Sequence, residues 1–256
     1  MGSIDTSIDL LLKTALIVGG GQGIGLGFVR RLLAADNIER VYATYRRIES
    51  ATELLAITNP KLCCLQMDIT DEAQIAAVIK QIQSETNTLH YVINSVGVLH
   101  EGEMQPEKSL RHINGEQLLR YFQVNSVGAM LLFKQVQPLL KHQDRSILAT
   151  ISAKVGSIGD NQLGGWYGYR ASKTALNMFI RTAAIEYKRT CPQAILVALH
   201  PGTTDTRLSL PFQRNVPPEK LFSVDRTVGQ LLIVMDGLDF GDSGEFFSWD
   251  GSRLPW

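Results

Sequence analysis

A run of glycines between a strand pattern and a helix pattern constrains the fold of this chain more than any other feature. The apolar segment Thr14–Val18 indicates a buried strand, and Ile24–Ala35 indicates an amphipathic helix. Gly19, Gly20, Gly21 and Gly23 lie between them, and Gly25 and Gly27 lie near the start of the helix pattern. Glycine lets the backbone reverse tightly, and the following helix N-terminus presents free N–H groups to anions. The pattern predicts a pyrophosphate site, and the lack of a following Gly-Lys-Ser or Gly-Lys-Thr disfavours a P-loop NTPase.

The rest of the chain repeats this alternation of strand and helix. Predicted strands lie at Arg40–Tyr45, Leu62–Met67, Tyr91–Asn94, Ser146–Ile151, Ile195–Leu199 and Glu245–Trp249. Predicted helices lie at Asp71–Ser84, Gly115–Leu140, Gly168–Thr190 and Asp225–Leu238. Because such alternation is typical of βαβ units, we expect an α/β fold, a doubly wound Rossmann-type sandwich of about seven parallel strands with helices on both faces.

The chain shows no linker that would separate two domains. We therefore predict one domain over residues 1–256, with residues 1–12 as an N-terminal extension. The proline-containing stretch within residues 205–222 predicts either a lid over the substrate site or an ordinary surface loop.

The composition excludes several classes of function. The 25 Lys and Arg residues balance 25 Asp and Glu residues, so no net charge attracts nucleic acid or anionic lipid. Three cysteines do not make a disulfide framework, and the histidines lack partners at metal-ligand spacing. The N-terminal segment is a poor signal peptide, and its apolar run is too short to cross a bilayer. We expect a cytoplasmic protein with no metal, no nucleic-acid partner and no membrane partner.

The end of the second predicted strand indicates which dinucleotide binds. A chain that binds NAD usually offers an acidic residue there, whereas this chain has Tyr45, Arg46 and Arg47. Guanidinium groups suit a 2′-phosphate through charge-assisted hydrogen bonds, so we predict NADP(H). The alternative is that both arginines merely solvate a loop.

A second constellation consists of Tyr169 and Lys173, which share one face of a predicted helix. Together with the glycine turn it resembles the short-chain dehydrogenase/reductase family. Further family motifs follow in order: Val18-Gly19-x-x-x-Gly23-Ile24-Gly25, Asp68-Ile69, Asn94-Ser95-Val96-Gly97, Asn125 and Pro201-Gly202-x-x-x-Thr206. The likeness covers nearly the whole chain. The segments GGWYGYRASKTALNM and GEFFSWDGSRLPW are similar to the C-factor-like branch of carbonyl reductases.

The resemblance implies a cofactor site and a catalytic set. The implied cofactor-binding residues are Gly19, Gln22, Gly23, Ile24, Tyr45, Arg46, Arg47, Asp68, Ile69, Asn94, Val96, Gly97, Tyr169, Lys173, Pro201, Thr203 and Thr206. Tyr169 would be the general acid and base, and Lys173 would lower its pKa and bind the nicotinamide ribose. Asn125 would hold a water that relays protons, and Ser152 would donate a hydrogen bond to the substrate oxygen.

The serine departs from the family pattern. The family places it three residues before the glycine of Ser-x-x-Gly, and here Ala153 stands at that distance from Gly156. Ser152 lies one residue earlier, and a shift by one residue on a regular strand turns a side chain to the other face. Ser152 can therefore serve only if the strand end bulges or turns locally, and we expect a bulge beside an active site. Ser157 is the alternative.

These residues predict an NADP(H)-dependent short-chain oxidoreductase that reduces a small carbonyl compound to an alcohol. The alternative is a dinucleotide-binding signalling or regulatory protein of the C-factor type with little or no turnover. The family likeness also implies a homodimer or homotetramer, with contacts on the two long predicted helices or the C-terminal strand.

Overall fold

A parallel β-sheet forms the centre of the protein, whose computed structural model describes residues 11–256. The strands are β1 (Lys13–Val18), β2 (Ile38–Tyr45), β3 (Leu62–Gln66), β4 (Tyr91–Asn94), β5 (Ser146–Ile151), β6 (Ala194–His200), β7 (Thr203–Thr204), β8 (Leu221–Phe222) and β9 (Phe246–Ser248). Seven of them form the main sheet, in the order β3-β2-β1-β4-β5-β6-β9, with every neighbouring pair parallel. Residues 1–10 of the predicted N-terminal extension lie outside the described residues.

Helices cover both faces of this sheet. They are α1 (Gly23–Leu33), α2 (Thr52–Leu55), α3 (Glu72–Gln83), α4 (Gly115–Phe122), α5 (Gly128–Val136), α6 (Tyr167–Thr190) and α7 (Val224–Asp236). The apolar sides of α3, α5 and α6 pack in one buried cluster, and those of α1 and α7 pack in another. The central strands are buried on both faces, as their nearly continuous apolar sequences indicate. The predicted doubly wound fold is confirmed.

The order of the strands creates a crevice at one edge of the sheet. Strand β1 pairs with β2 on one side and with β4 on the other, so the chain changes direction across the sheet between β1 and β4. Val18 and Asn94 lie side by side at the carboxyl ends of those two strands. In open α/β sheets ligands bind at such a switch point.

Two features differ from the sequence prediction. The predicted helix Gly115–Leu140 is divided by a π-turn at Gln123–Val127 and closes in a 3₁₀ turn at Gln137–Leu140. The spacing of apolar residues does not reveal a single extra residue inside an otherwise continuous helix. Strands β7 and β8 pair as a separate two-stranded sheet. Each has only two residues, which is too short for an alternating pattern that would predict a strand.

The segment 205–222 lies against the crevice. It contains a 3₁₀ helix at Leu210–Asn215, and the Phe212 ring centroid lies 5.0 Å from that of Trp166. Its predicted action as a lid stays a prediction. Over residues 11–256, no helix combines the length and apolar character needed to span a membrane. The same residues contain no group of three or more His, Cys, Asp or Glu side chains placed to hold a metal ion.

Close packing of α1 on α7 depends on Gly27. A Cβ atom on Gly27 would lie 2.5 Å from Val224 Cγ1 and 2.9 Å from Val228 Cγ2. We expect G27A to lower the free energy of unfolding by about 1–3 kcal/mol, because overpacking displaces buried valines. The measurement is urea unfolding followed by circular dichroism.

The matched control lies on the partner helix. A Cβ atom on Gly229, inside α7, would meet nothing within 4 Å, so G229A is expected to raise the free energy of unfolding by about 0.5–1 kcal/mol. If the two variants changed stability in the same direction, the inferred contact between α1 and α7 would be wrong.

Candidate active site

A cleft of about 740 Å³ opens at the carboxyl edge of the sheet. Residues that follow six strands within two positions line it: Gly19, Arg46, Asp68, Ser95, Ala153 and Pro201. Every residue predicted to bind the cofactor lines this cleft except Asn94. Of the four predicted catalytic residues, Tyr169, Lys173 and Ser152 lie at the cleft and Asn125 lies behind it.

The glycine turn leaves room and donors for a phosphate group. Gly19 and Gly23 adopt left-handed backbone angles, with φ of 83° and 54°. A Cβ atom on Gly19 would lie 2.8 Å from Val96 Cγ2, so a side chain does not fit there. Gln22, the N-cap residue of α1, makes no side-chain capping hydrogen bond, and the first turn of α1 has no acidic residue. The first N–H groups of α1 and the positive helix dipole therefore fit a dinucleotide pyrophosphate.

Two side chains brace the loops beside this turn. Asp68 Oδ1 accepts hydrogen bonds from the Thr70 N–H at 2.9 Å and from the Thr70 hydroxyl at 2.8 Å. Asn94 is buried, and its Oδ1 accepts a hydrogen bond from the Val96 N–H at 3.1 Å. Asn94 thus supports the cleft wall from behind.

The arginines after β2 stand at one end of the cleft. Arg47 is exposed, whereas Arg46 is partly buried and its Nη2 lies 2.8 Å from Glu101 Oε1. Glu101 Oε2 also lies 2.9 Å from Arg120 Nε. No sequence pattern marks Glu101 and Arg120, because only the fold brings the loop after β4 and helix α4 opposite the end of β2.

Tyr169 and Lys173 lie one turn apart on α6 at the other end of the cleft. Both are buried, and Lys173 Nζ donates a hydrogen bond to the Ile151 carbonyl oxygen at 3.0 Å. Lys173 Nζ lies 5.9 Å from the centroid of the Tyr169 ring. Burial raises the pKa of Tyr169 above its ordinary value and lowers the pKa of Lys173 to about 8. Burial is thus the cause of the shift at Tyr169, and the expected lowering of the Tyr169 pKa by Lys173 stays a prediction.

Asn125 occupies the π-turn between α4 and α5. Its Oδ1 accepts a hydrogen bond from the Val98 N–H at 2.7 Å. Its Nδ2 donates to the Val98 carbonyl oxygen at 2.9 Å and to Ser172 Oγ at 3.0 Å. The side chain therefore clamps the loop after β4 against α6. Its predicted part in holding a water stays a prediction.

The structure corrects the expectation for Ser152. Strand β5 keeps its register with β6 up to Ile151, and the Ser152 N–H continues the ladder by donating to the Leu199 carbonyl oxygen at 2.8 Å. The expected bulge is thus not present at this strand end. Ser152 is only 2% exposed, and its hydroxyl donates to Asn177 Oδ1 at 2.6 Å. Asn177 lies two turns beyond Tyr169, about 12 Å along α6, so the hydroxyl is directed away from Tyr169.

Ala153 faces the site instead. Its side chain packs in the apolar cluster that contains Tyr169. The alternative, Ser157, is buried, and its hydroxyl donates to the Trp256 carbonyl oxygen at 3.2 Å. Neither serine hydroxyl is available to a substrate at Tyr169 in this arrangement.

An apolar pocket surrounds Tyr169. Its members come from five segments of the chain: Val96, Val98, Leu99, Met104, Tyr121, Val124, Ala153, Val155, Trp166, Leu208 and Phe212. The Trp166 ring centroid lies 6.1 Å from that of Tyr169 and 5.0 Å from that of Phe212, both edge to face. This wall suits an apolar ligand. No local pattern marks the contact between Trp166 and Phe212, because only the fold brings these distant residues together.

A buried carboxylate fixes the start of α6. Trp166 has a left-handed φ of 52°, and its N–H donates to the Glu107 carbonyl oxygen. Glu107 is buried, and its Oε2 accepts a hydrogen bond from the Gly168 N–H at 3.1 Å. A negative charge at a helix N-terminus is favourable, so Glu107 holds the turn that carries Tyr169. No local pattern marks Glu107, because its partners lie about 60 residues away.

Comparison with known proteins agrees with this arrangement. The family model for the short chain dehydrogenase matches residues 13–216, which include the glycine turn, Tyr169 and Lys173. The chain belongs to the short-chain dehydrogenase family.

Relatives of this short-chain dehydrogenase include characterised and uncharacterised proteins. C-signal of Myxococcus xanthus is 30% identical over 149 residues, which cover 58% of this chain and 84% of C-signal. An uncharacterized oxidoreductase of Schizosaccharomyces pombe is 26% identical over 256 residues, which cover 95% of this chain and 98% of that protein.

Two solved structures that are similar to this chain are carbonyl reductases. The NADPH-bound carbonyl reductase from chicken fatty liver has a TM-score of 0.85 and 30% identity, covering 96% of this chain and 94% of that one. The carbonyl reductase Sniffer of D. melanogaster has a TM-score of 0.84 and 26% identity, covering 96% of this chain and 100% of that one. The predicted likeness to the C-factor-like branch of carbonyl reductases is confirmed.

Proposed function

We propose that this short-chain dehydrogenase is an NADP(H)-dependent reductase that converts a small, apolar carbonyl compound to an alcohol. The observation that carries the proposal is the position of Tyr169, where the glycine-lined cleft meets the apolar pocket. The arginines after β2 support NADP(H), and the chicken carbonyl reductase with the same fold was solved with NADPH.

Tyr169 is the proton donor in this proposal. NADPH, when bound, supplies a hydride to the carbonyl carbon. Negative charge then develops on the carbonyl oxygen, which takes the phenolic proton of Tyr169 to form the hydroxyl group. Because burial raises the pKa of Tyr169, the phenol carries this proton at neutral pH. In the reverse direction the same oxygen accepts the proton of the alcohol.

Lys173 supports the phenolate that remains on Tyr169. Its ammonium group is buried one helical turn away, where a positive charge favours the ionised phenol. Burial lowers the pKa of Lys173 to about 8, so the group is protonated at pH 7 and can return a proton to Tyr169. The hydrogen bond to the Ile151 carbonyl oxygen fixes its position.

Ala153 leaves the substrate oxygen with one side-chain donor instead of two. A hydroxyl at that position would share the developing negative charge, and oxyanion donors are worth about 10²–10³ in rate when removed from other enzymes. We therefore expect a modest turnover number in the unmodified chain. The same observation favours the second candidate function, a dinucleotide-binding signalling protein with little turnover, which C-signal among the relatives also supports.

A homodimer or homotetramer stays part of the proposal. The predicted contact surfaces carry exposed apolar side chains, namely Leu119, Val127, Met178 and Ile185. A cytoplasmic location likewise stays a prediction.

Replacement of the phenol tests the proposed reaction. We expect wild-type protein to oxidise NADPH with apolar aldehydes or ketones, and Y169F to lose at least about 100-fold in kcat/KM because the proton donor is gone. The measurement is NADPH absorbance across a panel of carbonyl compounds, with NADPH binding followed separately. NADPH binding without turnover by wild-type protein would favour the signalling function. Near wild-type turnover by Y169F would remove Tyr169 from the mechanism.

Replacement of an arginine tests the cofactor. NADPH is expected to raise the melting temperature of wild-type protein more than NADH at the same concentration, because the ligand with the higher affinity adds more stability. R46A should abolish the difference. R31A removes an exposed arginine from the last turn of α1 and should preserve it. Equal stabilisation of wild-type protein by NADPH and NADH would contradict the NADP(H) assignment.

A serine placed beside Tyr169 tests whether residue 153, and not Ser152, faces the substrate oxygen. We expect A153S to raise kcat for carbonyl reduction about tenfold, since it restores a second donor to the substrate oxygen. S152A is the matched control and should keep kcat within about twofold, while losing about 1 kcal/mol of stability with its hydrogen bond to Asn177. A 100-fold loss in S152A would return Ser152 to the catalytic set.

A further inference from the structure

We propose that Glu101 sets the affinity of the protein for NADP(H) by competing with the cofactor's 2′-phosphate for Arg46. This inference rests on the proposed cofactor, and it concerns a residue outside the motifs that the family likeness supplies. It does not depend on which carbonyl compound is reduced.

The geometry places one carboxylate across the mouth of the cleft. Arg46 follows β2 on one side of the cleft, and Arg120 lies on α4 on the other side. Glu101 Oε1 lies 2.8 Å from Arg46 Nη2, and Glu101 Oε2 lies 2.9 Å from Arg120 Nε. All three side chains line the cleft. The carboxylate therefore bridges the two walls at the end where the adenosine half of a dinucleotide would lie.

The backbone holds Glu101 at this point. The Glu101 N–H donates to the Met104 carbonyl oxygen at 3.2 Å, and the Met104 N–H donates back to the Glu101 carbonyl oxygen at 3.0 Å. Gly102, inside this turn, has a left-handed φ of 56°, and Met104 is buried in the apolar cluster. The turn is thus anchored by packing, so the carboxylate does not drift away from the arginines.

The charges make Glu101 a competitor of a phosphate group. Within residues 11–256, Glu101 is the only carboxylate paired with Arg46. The hydrogen bonds from Arg120 and Arg46 lower the pKa of Glu101 to about 2, so the group is negatively charged at neutral pH. A 2′-phosphate that approaches Arg46 must displace this carboxylate and then remain close to it. Both effects weaken phosphate binding, whereas a cofactor with a free 2′-hydroxyl meets neither.

Arg120 explains how the exchange can occur without unfolding of the loop. When a phosphate takes Arg46, Glu101 can keep its bond to Arg120, so only one of the two ion pairs is lost. Arg120 is itself braced, because its Nη1 donates to Gln123 Oε1 at 3.2 Å. Glu101 is therefore a specificity-determining residue with two arginine partners, one permanent and one exchangeable.

The test is isothermal titration of wild-type protein, E101Q and E103Q with NADPH, NADH and 2′,5′-ADP. The last ligand carries the 2′-phosphate without the nicotinamide. E103Q removes an exposed acid from the same turn and is the charge-matched control. We expect E101Q to bind NADPH and 2′,5′-ADP about fivefold tighter, with NADH within about twofold of wild type, because a partly exposed ion pair is worth up to about fivefold in affinity. E103Q should bind all three ligands like wild type.

A second background separates competition at Arg46 from a change in the loop. In R46A the E101Q substitution should bring a clearly smaller gain for NADPH than in wild-type protein, because only the repulsion between the carboxylate and the phosphate remains. The inference is overturned if E101Q weakens NADPH binding, if E101Q tightens NADH as much as NADPH, or if the gain in R46A equals that in wild-type protein. If wild-type protein does not bind NADPH at all, the proposed cofactor fails, and this inference fails with it; binding of NADPH with no effect of E101Q overturns the inference alone.

Discussion

One hydrogen bond from a buried ammonium group joins the parts of the candidate site. Lys173 is 3% exposed, and its Nζ donates to the carbonyl oxygen of Ile151, the last residue of β5. A buried charge without a partner is unfavourable, so this bond holds α6 to the end of the sheet. A Cβ atom on Gly97 would lie 3.4 Å from the same Nζ, so the loop after β4 must also approach closely. The position of Tyr169, one turn away on α6, therefore depends on the contacts among α6, the end of β5 and the loop after β4.

The two ends of the cleft differ sharply in character. Arg46, Arg120 and Glu101 give one part of the cleft its charges, whereas the side chains packed around Tyr169 are mostly apolar. An elongated ligand with a phosphate-bearing half therefore has one favourable direction in the cleft. In the proposed reaction a carbonyl group at Tyr169 would have few polar partners, so the presence of Ala153 instead of a hydroxyl would matter there.

Local sequence patterns predicted the features that are formed by residues close together in the sequence. The glycine turn, the apolar strands and the spacing of Tyr169 and Lys173 are all local, and the structure brings them together as expected. Glu101 and Phe212 act through partners distant in sequence, so no spacing could indicate them. The direction of Ser152 depended on whether β5 bulges, and regular pairing with β6 decided it. The sequence showed that the direction of Ser152 depends on a bulge, but it did not show whether the bulge forms.

The π-turn at Gln123–Val127 holds one more residue than an ordinary α-helical turn. Removal of that residue would leave a regular helix in which α4 and α5 keep their relative phase, so Leu132, Phe133 and Val136 would stay directed into the buried cluster. The backbone at Asn125 would change, however, and with it the position of the Oδ1 atom that accepts from the Val98 N–H. The widened turn is therefore a feature of the site and not a requirement of the core.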